Sequence, residues 1–296
     1  MSPLPNAATS KTLSVSGSGL ISGKSVTVTI TPQSDSGIRF YVGDQEVLAS
    51  LKSVVHTDRG VTLANTQMPA SVKPFTLSIV EHFLAACSLY GLHHATVSVS
   101  WSKNQDQELS HIELPLLDGS AQAWITHFEA LWGPLSLVST QQVLRQPVVY
   151  SGGRDHSDIH LVAVPAERFQ IRYGVNFPHP DLFQRWEAWD YQQDGIETLA
   201  PAQTFGFVNE LPELQARGLA KGVTHENTLG LIEDGGYTRP LLFPGEPIRH
   251  KMLDLIGDLT LMEINPLSVG MQVIAFNAGH TSHIALARLL QPLLRD

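Results

Sequence analysis

The stretch EPIRHKMLDLIGDLTLM at residues 246–262 decides the fold, because it predicts a helix with a polar column between apolar flanks. On a helix, His250, Asp254 and Asp258 stand at i, i+4 and i+8 and therefore share one face. The flanking residues are Leu253, Ile256 and Thr260 on one side, and Met252, Leu255, Leu259 and Met262 on the other. Such a column faces a cleft or a buried site, where carboxylates need a cation or hydrogen-bond partners.

This column has two interpretations. A His and an Asp four residues apart can hold one metal ion from a single helix face. The alternative is a polar face that lies against solvent or another subunit, and the helix alone leaves both open. The 13 histidines of the chain raise the expectation of a metal site without locating it.

Glu81 and His82 are adjacent in a second predicted helix, at residues 77–90. A His ligand beside a Glu base that is not a ligand recurs in zinc hydrolases. By itself, a Glu-His pair is weak evidence for such a site.

Ala278-Gly279-His280 follows a predicted strand and precedes a predicted helix. Gly279 permits a tight turn that can aim His280 into a pocket. A helix N-terminus disfavours an imidazolium, so a His280 that acts as an acid needs a negative neighbour, and Asp258 is the candidate. The local sequence equally allows His280 to be a loop or capping residue.

Strands and helices are predicted in clusters along the chain, which indicates an α+β fold. The predicted strands are 22–32, 95–101, 159–164, 169–177 and 271–276, with 159–164 and 169–177 antiparallel; the further helices are 120–131, 210–217 and 281–294. The glycine-rich segment 16–23 opens onto a strand, so we interpret it as a turn and not as a phosphate loop. A break at Gly133-Pro134 predicts two domains, 1–134 and 135–296.

Composition restricts the class of protein. Of the 296 residues 43% are hydrophobic and 16% are charged, so a large core can form and a disordered chain is excluded. The formal net charge of −9 argues against a nucleic-acid partner. The single Cys87 excludes an internal disulfide and fits a reducing compartment. Residues 1–10 carry no secretory pattern and no apolar run spans a membrane, so we expect a cytoplasmic protein without a transmembrane segment.

Taken together, these segments resemble the UDP-3-O-acyl-N-acetylglucosamine deacetylases of lipid A biosynthesis, the LpxC family, over nearly the whole chain. The strongest stretch is RHKMLDLIGDL at 249–259. The other matching motifs are IVEH at 79–82, LPLLDGSA at 114–121, TFGF at 204–207, RGLAKG at 217–222 and AGH at 278–280, and they occur in the family's order.

The resemblance implies a role for each of these sites. The implied zinc ligands are His82, His250 and Asp254; Fe²⁺ accepts similar ligands and is the alternative metal. The implied catalytic residues are Glu81 as general base, His280 as general acid with Asp258 behind it, Thr204 at the oxyanion and Lys251 at the substrate. Phe205 would lie beside the sugar, and an insert at about 207–231 would wall an acyl-chain passage, in which Val208, Leu211 and Gln215 form one helix face.

The implied reaction removes the N-acetyl group from UDP-3-O-acyl-N-acetylglucosamine, an early committed step of lipid A biosynthesis. The family fold places the active site between two sheet-and-helix domains. We therefore expect a small-molecule substrate, an acylated UDP-sugar, and a monomer. Two alternatives remain open: another metal amidohydrolase, and a catalytically silent protein that binds the same ligand.

The chain departs from the family pattern at three places. Ile21 stands in GLISG where the family usually has a histidine, and Gln203 stands where an arginine commonly precedes TFGF. GVTHEN at 222–227 replaces a more usual GGSLDN or GGSLEN. The last two departures bear on acyl-chain preference and substrate anchoring, not on the class of reaction.

Overall fold

The computed structural model describes residues 11–35, 37–67, 75–101, 111–153 and 158–294. Residues 1–10, in which we found no secretory pattern, lie outside this part. Among the residues described, no helix combines the length and the apolarity that crossing a membrane requires.

The described residues before 134 form two sheets and two α-helices. The strands are β1 (Leu13–Ser18), β2 (Ser25–Pro32), β3 (Ile38–Val42), β4 (Gln45–Leu48), β5 (Val54–His56), β6 (Thr62–Ala64), β7 (Thr76–Ser78), β8 (Ala95–Trp101) and β9 (His111–Glu113), and the helices are α1 (Glu81–Tyr90) and α2 (Gln122–Trp132). The sheets have the orders β1-β2-β8-β3-β4 and β5-β6-β7-β9. Residues 19–24 connect β1 to its antiparallel neighbour β2, which confirms a turn in the glycine-rich segment.

The residues after 134 form one large sheet, one small sheet and four α-helices in the described part. The strands are β10 (Gln142–Val143), β11 (Val148–Gly152), β12 (Ile159–Pro165), β13 (Gln170–Val175), β14 (Arg185–Asp190), β15 (Phe205–Phe207), β16 (Leu229–Leu231) and β17 (Val269–Phe276), and the helices are α3 (Tyr191–Asp194), α4 (Leu211–Ala216), α5 (Glu246–Thr260) and α6 (His280–Leu294). The large sheet has the order β11-β12-β17-β13-β14, with β10 also paired to β17, and β15 pairs with β16. Short 3-10 helices lie at Leu51–Ser53, Pro180–Leu182, Ile196–Thr198, Val208–Glu210 and Pro266–Ser268.

The fold is α+β, as predicted, with sheets and helices layered in both halves. Between described residues, each strand pairing stays within its own half of the chain, while α1 and α5 pack against each other across the two halves. Helices α5 and α6 in turn pack on the large second sheet. The exact domain boundary at 134 stays a prediction.

One predicted element was wrong in detail, and one strand pair is arranged in a way that the sequence did not indicate. The helix predicted from residue 77 begins at Glu81, because Leu77 pairs with Leu63 in β7 and the chain then turns at Ile79, which has a φ of 59°. The strands β12 and β13 do run in opposite directions, but they are not neighbours. The later strand β17 lies between them, antiparallel to β12 and parallel to β13, a long-range pairing that local periodicity cannot reveal.

Helix α1 is fixed to its own half by an aromatic cluster. The ring of Phe83 makes edge contacts with Phe40 of β3 and with Trp124 and Phe128 of α2, at centroid distances of 5.8, 5.1 and 6.3 Å. All four side chains are almost completely buried. Such aromatic pairs add to the stabilisation from burial, so α1 presents its other residues to α5 in one defined orientation.

The contact of α1 with α5 depends on Gly257. A Cβ at this position would lie 2.1 Å from the carbonyl oxygen of Glu81, so only a glycine lets the two helix backbones come this close. Glu81 and His82 begin α1 at this crossing, and His250 and Asp254 lie on α5 about two turns and one turn before Gly257. The crossing therefore brings the polar residues of both helices together.

We predict that Gly257→Ala destabilises the protein, although alanine is the better helix former by roughly 1 kcal/mol. The added methyl group must push α1 and α5 apart, and such overpacking costs about 1–3 kcal/mol. Denaturant unfolding should show a free energy of unfolding lowered by that amount. Gly206→Ala is the matched control, because a Cβ there meets no atom within 4 Å. A Gly257→Ala protein as stable as that control would contradict the close packing.

Candidate active site

The structure brings His82 of α1 together with His250 and Asp254 of α5. All three side chains are buried, and Oδ1 of Asp254 lies 3.5 Å from Nε2 of His82 and 3.5 Å from Nε2 of His250. These separations are long for hydrogen bonds, and Oδ1 of Asp254 has no hydrogen-bond partner among the described residues. A buried carboxylate oxygen without a hydrogen-bond partner lowers the stability of the folded protein, so these three side chains require a cation or a hydrogen-bond donor between them.

A divalent metal ion fits this group. Ligand atoms about 2.0–2.2 Å from a tetrahedral ion stand roughly 3.3–3.6 Å apart, which matches the separations found. His250 donates from Nδ1 to the carbonyl oxygen of Ala202 at 3.0 Å, and this leaves its Nε2 lone pair directed at the site. Burial lowers the pKa of His250 to about 4 and so keeps the ring in the neutral form that binds metals.

Glu81 lies beside the metal group with its carboxylate held in place. Its Oε2 accepts the backbone N–H of Val61 at 3.1 Å, and its Oε1 lies 3.9 Å from Nε2 of His280. Burial raises the pKa of Glu81 above its ordinary value, although His280 and His82 oppose this. Gly60, with a φ of 145°, makes room for the carboxylate, because a Cβ there would lie 2.9 Å from Oε1.

Asp258 lies behind His280, and it also binds a second histidine. Its Oδ2 is 2.9 Å from Nδ1 of His280 and 2.8 Å from Nδ1 of His283. Burial alone would lower the pKa of His280, but the charge and the hydrogen bond of Asp258 outweigh this effect and raise it to about 10. His280 therefore keeps its proton at neutral pH.

Asp258, His280 and His283 are a second group whose atoms are close enough to hold a metal ion. Their geometry argues against a metal ion, because Oδ2 of Asp258 accepts hydrogen bonds from Nδ1 of both histidines at ordinary distances. The first group has no such internal bonds. We therefore interpret the first group as the metal centre and the second as a hydrogen-bonded cluster.

A cavity of about 620 Å³ opens next to the metal group and takes residues from both halves of the chain. Thr204, Phe205, Lys251 and His280 line it, together with His250 and Asp254. The backbone of Thr204 is fixed by two bonds, from its N–H to Gly119 O and from Leu229 N–H to its carbonyl oxygen, both at 2.8 Å. These six predicted site residues thus border one space, whereas Glu81, His82 and Asp258 are not among the residues that line it.

Lys251 and Phe205 have surroundings that suit substrate contact. Nζ of Lys251 lies 5.9 Å from the ring centroids of Tyr173 and Phe177, and burial lowers its pKa. The ring of Phe205 lies edge-on to His250 with centroids 6.0 Å apart. An ammonium group and an aromatic face therefore border the cavity beside the metal group.

The predicted passage face is partly wrong. Val208 and Leu211 line the cavity, but Gln215 is exposed and Leu214 takes its place in the wall. The reason is that Val208–Glu210 is a 3-10 turn and α4 begins only at Leu211, so the inward face repeats at i, i+3 from that residue. Other apolar wall residues are Leu20, Ile21, Leu219, Ala220 and Val223.

The departures from the family pattern also have defined places. Ile21, Val223 and His225 line the cavity. Gln203 donates from Nε2 to the carbonyl oxygens of Asp118 and Glu226, at 2.7 and 2.8 Å, and accepts a hydrogen bond from Arg239. Arg239 also pairs with the fully buried Glu246 at the start of α5. The guanidinium of Arg239 therefore lies beside Gln203, at the position where the family commonly has an arginine.

Sequence reasoning missed His283. It is completely buried, and its Nε2 lies 2.8 Å from the hydroxyl oxygen of Tyr173 on β13. The available signal was its spacing, since His283 follows His280 by three residues at the start of a predicted helix and so shares its face. Asp258 had been assigned to His280 alone.

Comparison with known proteins identifies the family of this chain. Residues 7–291 match the LpxC family model, described as UDP-3-O-acyl N-acetylglycosamine deacetylase. A relative of that activity from Thermosynechococcus vestitus is 31% identical over 93% of this chain and 90% of its own length. Relatives of the same name from Synechocystis sp. and Chlamydia abortus are each 32% identical, over 96% and 95% of this chain and 97% and 94% of their own lengths. The chain therefore belongs to the LpxC family of metal-dependent deacetylases.

Proposed function

We propose that this protein is a zinc-dependent hydrolase that removes the N-acetyl group from UDP-3-O-acyl-N-acetylglucosamine and releases acetate and a free amine. One observation carries the proposal: a buried carboxylate, Glu81, and a protonated imidazole, His280, lie 3.9 Å apart beside the His82, His250 and Asp254 group. A base and an acid within reach of one reacting centre are what amide hydrolysis requires. Family membership supplies the substrate class.

The metal ion, when bound, supplies Lewis acidity toward a water molecule and toward the amide carbonyl. His82, His250 and Asp254 would hold it and, being three ligands, leave a position open for substrate and water. Zinc is the proposed ion, because its preferred ligands are of these types; Fe²⁺ accepts the same set and is the alternative.

The proton transfers fall to Glu81 and His280. Glu81, whose pKa is raised by burial, takes a proton from the attacking water, and the new C–O bond forms at the acetyl carbon. The Thr204 hydroxyl donates a hydrogen bond to the oxyanion that develops on the carbonyl oxygen. His280 then gives its proton to the amine nitrogen as the C–N bond breaks, because an amide anion is too poor a leaving group. The products are acetate and the glucosamine amine.

The apolar part of the cavity would hold the 3-O-acyl chain. Burial of each methylene contributes about 0.8 kcal/mol, so a long acyl chain can supply much of the binding free energy. Lys251 and Phe205 would contact the polar part of the substrate. The cytoplasmic location and the monomeric state stay predictions from the sequence.

Turnover of UDP-3-O-acyl-N-acetylglucosamine, with metal analysis of the same sample, tests the function. We expect acetate release and one zinc per chain in the wild type. Glu81→Gln removes the base but no ligand, so kcat should fall by roughly 10²–10⁴ with zinc retained. His250→Ala is the matched control and should lose zinc and activity together. A zinc-loaded wild type without turnover, or an unimpaired Glu81→Gln variant, would refute the proposal.

Leu211→Asp tests the acyl passage, since it puts a charge into the apolar wall. kcat/KM for the acylated substrate should fall sharply, by roughly tenfold or more, because a charge near the methylenes is costly to desolvate. A substrate without the acyl chain should react slowly and about equally with both proteins. Gln215→Asp, at an exposed position on the same helix, should leave both values unchanged. Equal losses on the two substrates would show that Leu211 does not wall the passage.

A further inference from the structure

His283 has no part in the mechanism above, yet it makes the same contact with Asp258 as the catalytic acid does. It follows His280 by one turn of α6, and the two rings stand nearly perpendicular with centroids 6.1 Å apart. Its side chain is completely buried. Because His283 contacts the same carboxylate as His280, it is a candidate for controlling the pKa and the orientation of His280.

The second nitrogen of His283 is held as firmly as the first. Nε2 lies 2.8 Å from the hydroxyl oxygen of Tyr173, and the same hydroxyl lies 2.7 Å from the carbonyl oxygen of Ala278, two residues before His280. Tyr173 therefore contacts both the ring of His283 and the backbone that carries His280. This cluster joins β13, α5 and α6 around the acid.

We propose that His283 is a positioning residue for the deacetylation, one that holds Oδ2 of Asp258 toward His280 and limits how tightly Asp258 binds the proton of His280. The proposal rests on the proposed function, in which His280 is the acid. Nothing in the resemblance to the LpxC family assigns His283 a role.

The charge state of His283 follows from its surroundings. The groups that face it are Asp258 and Lys251 from α5, His280 from α6 and Tyr173 from β13. Burial lowers the pKa of His283, and this outweighs the opposing effect of Asp258. The neutral ring donates from Nδ1 to Asp258 and leaves Nε2 as an acceptor, so the single hydroxyl proton of Tyr173 is shared between Nε2 and the carbonyl oxygen of Ala278.

Because His280 and His283 share Oδ2 of Asp258, each affects how strongly the carboxylate binds the proton of the other. Oδ1 of Asp258 has no hydrogen-bond partner among the described residues, so both histidines depend on Oδ2. A hydrogen bond from His283 stabilises the charged carboxylate and reduces its pull on the proton of His280. Without that bond, the carboxylate of Asp258 would be more basic and His280 would hold its proton more tightly. The acid would then transfer its proton more slowly.

The test is an NMR titration of the His280 ring in zinc-loaded protein, together with the pH profile of kcat. His283→Leu removes the donor, whereas His283→Asn keeps an N–H close to the position of Nδ1. In the Leu variant we expect the pKa of His280 and the alkaline limb of kcat to move to higher pH. We also expect kcat to fall about tenfold, less than the roughly 10²–10⁴ that loss of the acid itself would cost. The Asn variant should titrate like the wild type.

Asp258→Asn is the control for the direction of the pKa shift of His280. It removes the negative charge that raises the pKa of His280, so it should move the titration and the alkaline limb to lower pH, opposite to His283→Leu. If the Leu variant does not fold, His283→Met, which fills irregular gaps without offering an N–H, replaces it.

Equal titration of His280 in the wild type and the Leu or Met variant, or a downward shift, would overturn the proposal. So would equal losses in the Leu and Asn variants with no shift of the limb, which is the result of a merely structural role. A wild type that lacks turnover would refute the proposed function, but the titration of His280 would still decide the role of His283.

Discussion

The close approach of α1 and α5 at Gly257 is the constraint on which the rest of the site depends. The carbonyl oxygen of Glu81 occupies the space that any larger side chain would fill. Glu81 and His82 come from the half of the chain before residue 134, and His250, Asp254 and Asp258 come from the half after it. Small changes in the helix spacing would therefore separate the proposed base from the proposed acid, and His82 from the other two proposed metal ligands.

The burial of several charged groups in one region is the second constraint on the structure. Glu81, Asp254 and Asp258 are three buried carboxylates in one region, and one oxygen each of Asp254 and Asp258 lacks a hydrogen bond among the described residues. Such an arrangement costs free energy of folding unless positive charge balances it. The protonated ring of His280 balances Asp258, and a divalent ion would balance Asp254. The stability of the protein and the chemistry of the site are therefore linked through the same groups.

Much of the site follows from the sequence because helix periodicity is local. The spacing of His250, Asp254 and Asp258 predicts a polar column on one helix face, but it leaves open whether that face borders a buried site or lies against solvent or another subunit. The convergence of that column with Glu81 and His82 came only from family resemblance, since helix crossings depend on packing between distant segments. What local periodicity did not reveal has the same origin: β17 enters the sheet from far along the chain, and a 3-10 turn at Val208–Glu210 places Gln215 outside the cavity wall. His283 was missed because its partner had already been assigned to His280.

The most direct test of the proposed metal centre is anomalous X-ray diffraction at the zinc absorption edge from crystals of the zinc-loaded protein. We expect one strong peak per chain, bounded by Nε2 of His82, Nε2 of His250 and Oδ1 of Asp254. A principal peak among Asp258, His280 and His283, or no peak at the first group, would contradict it.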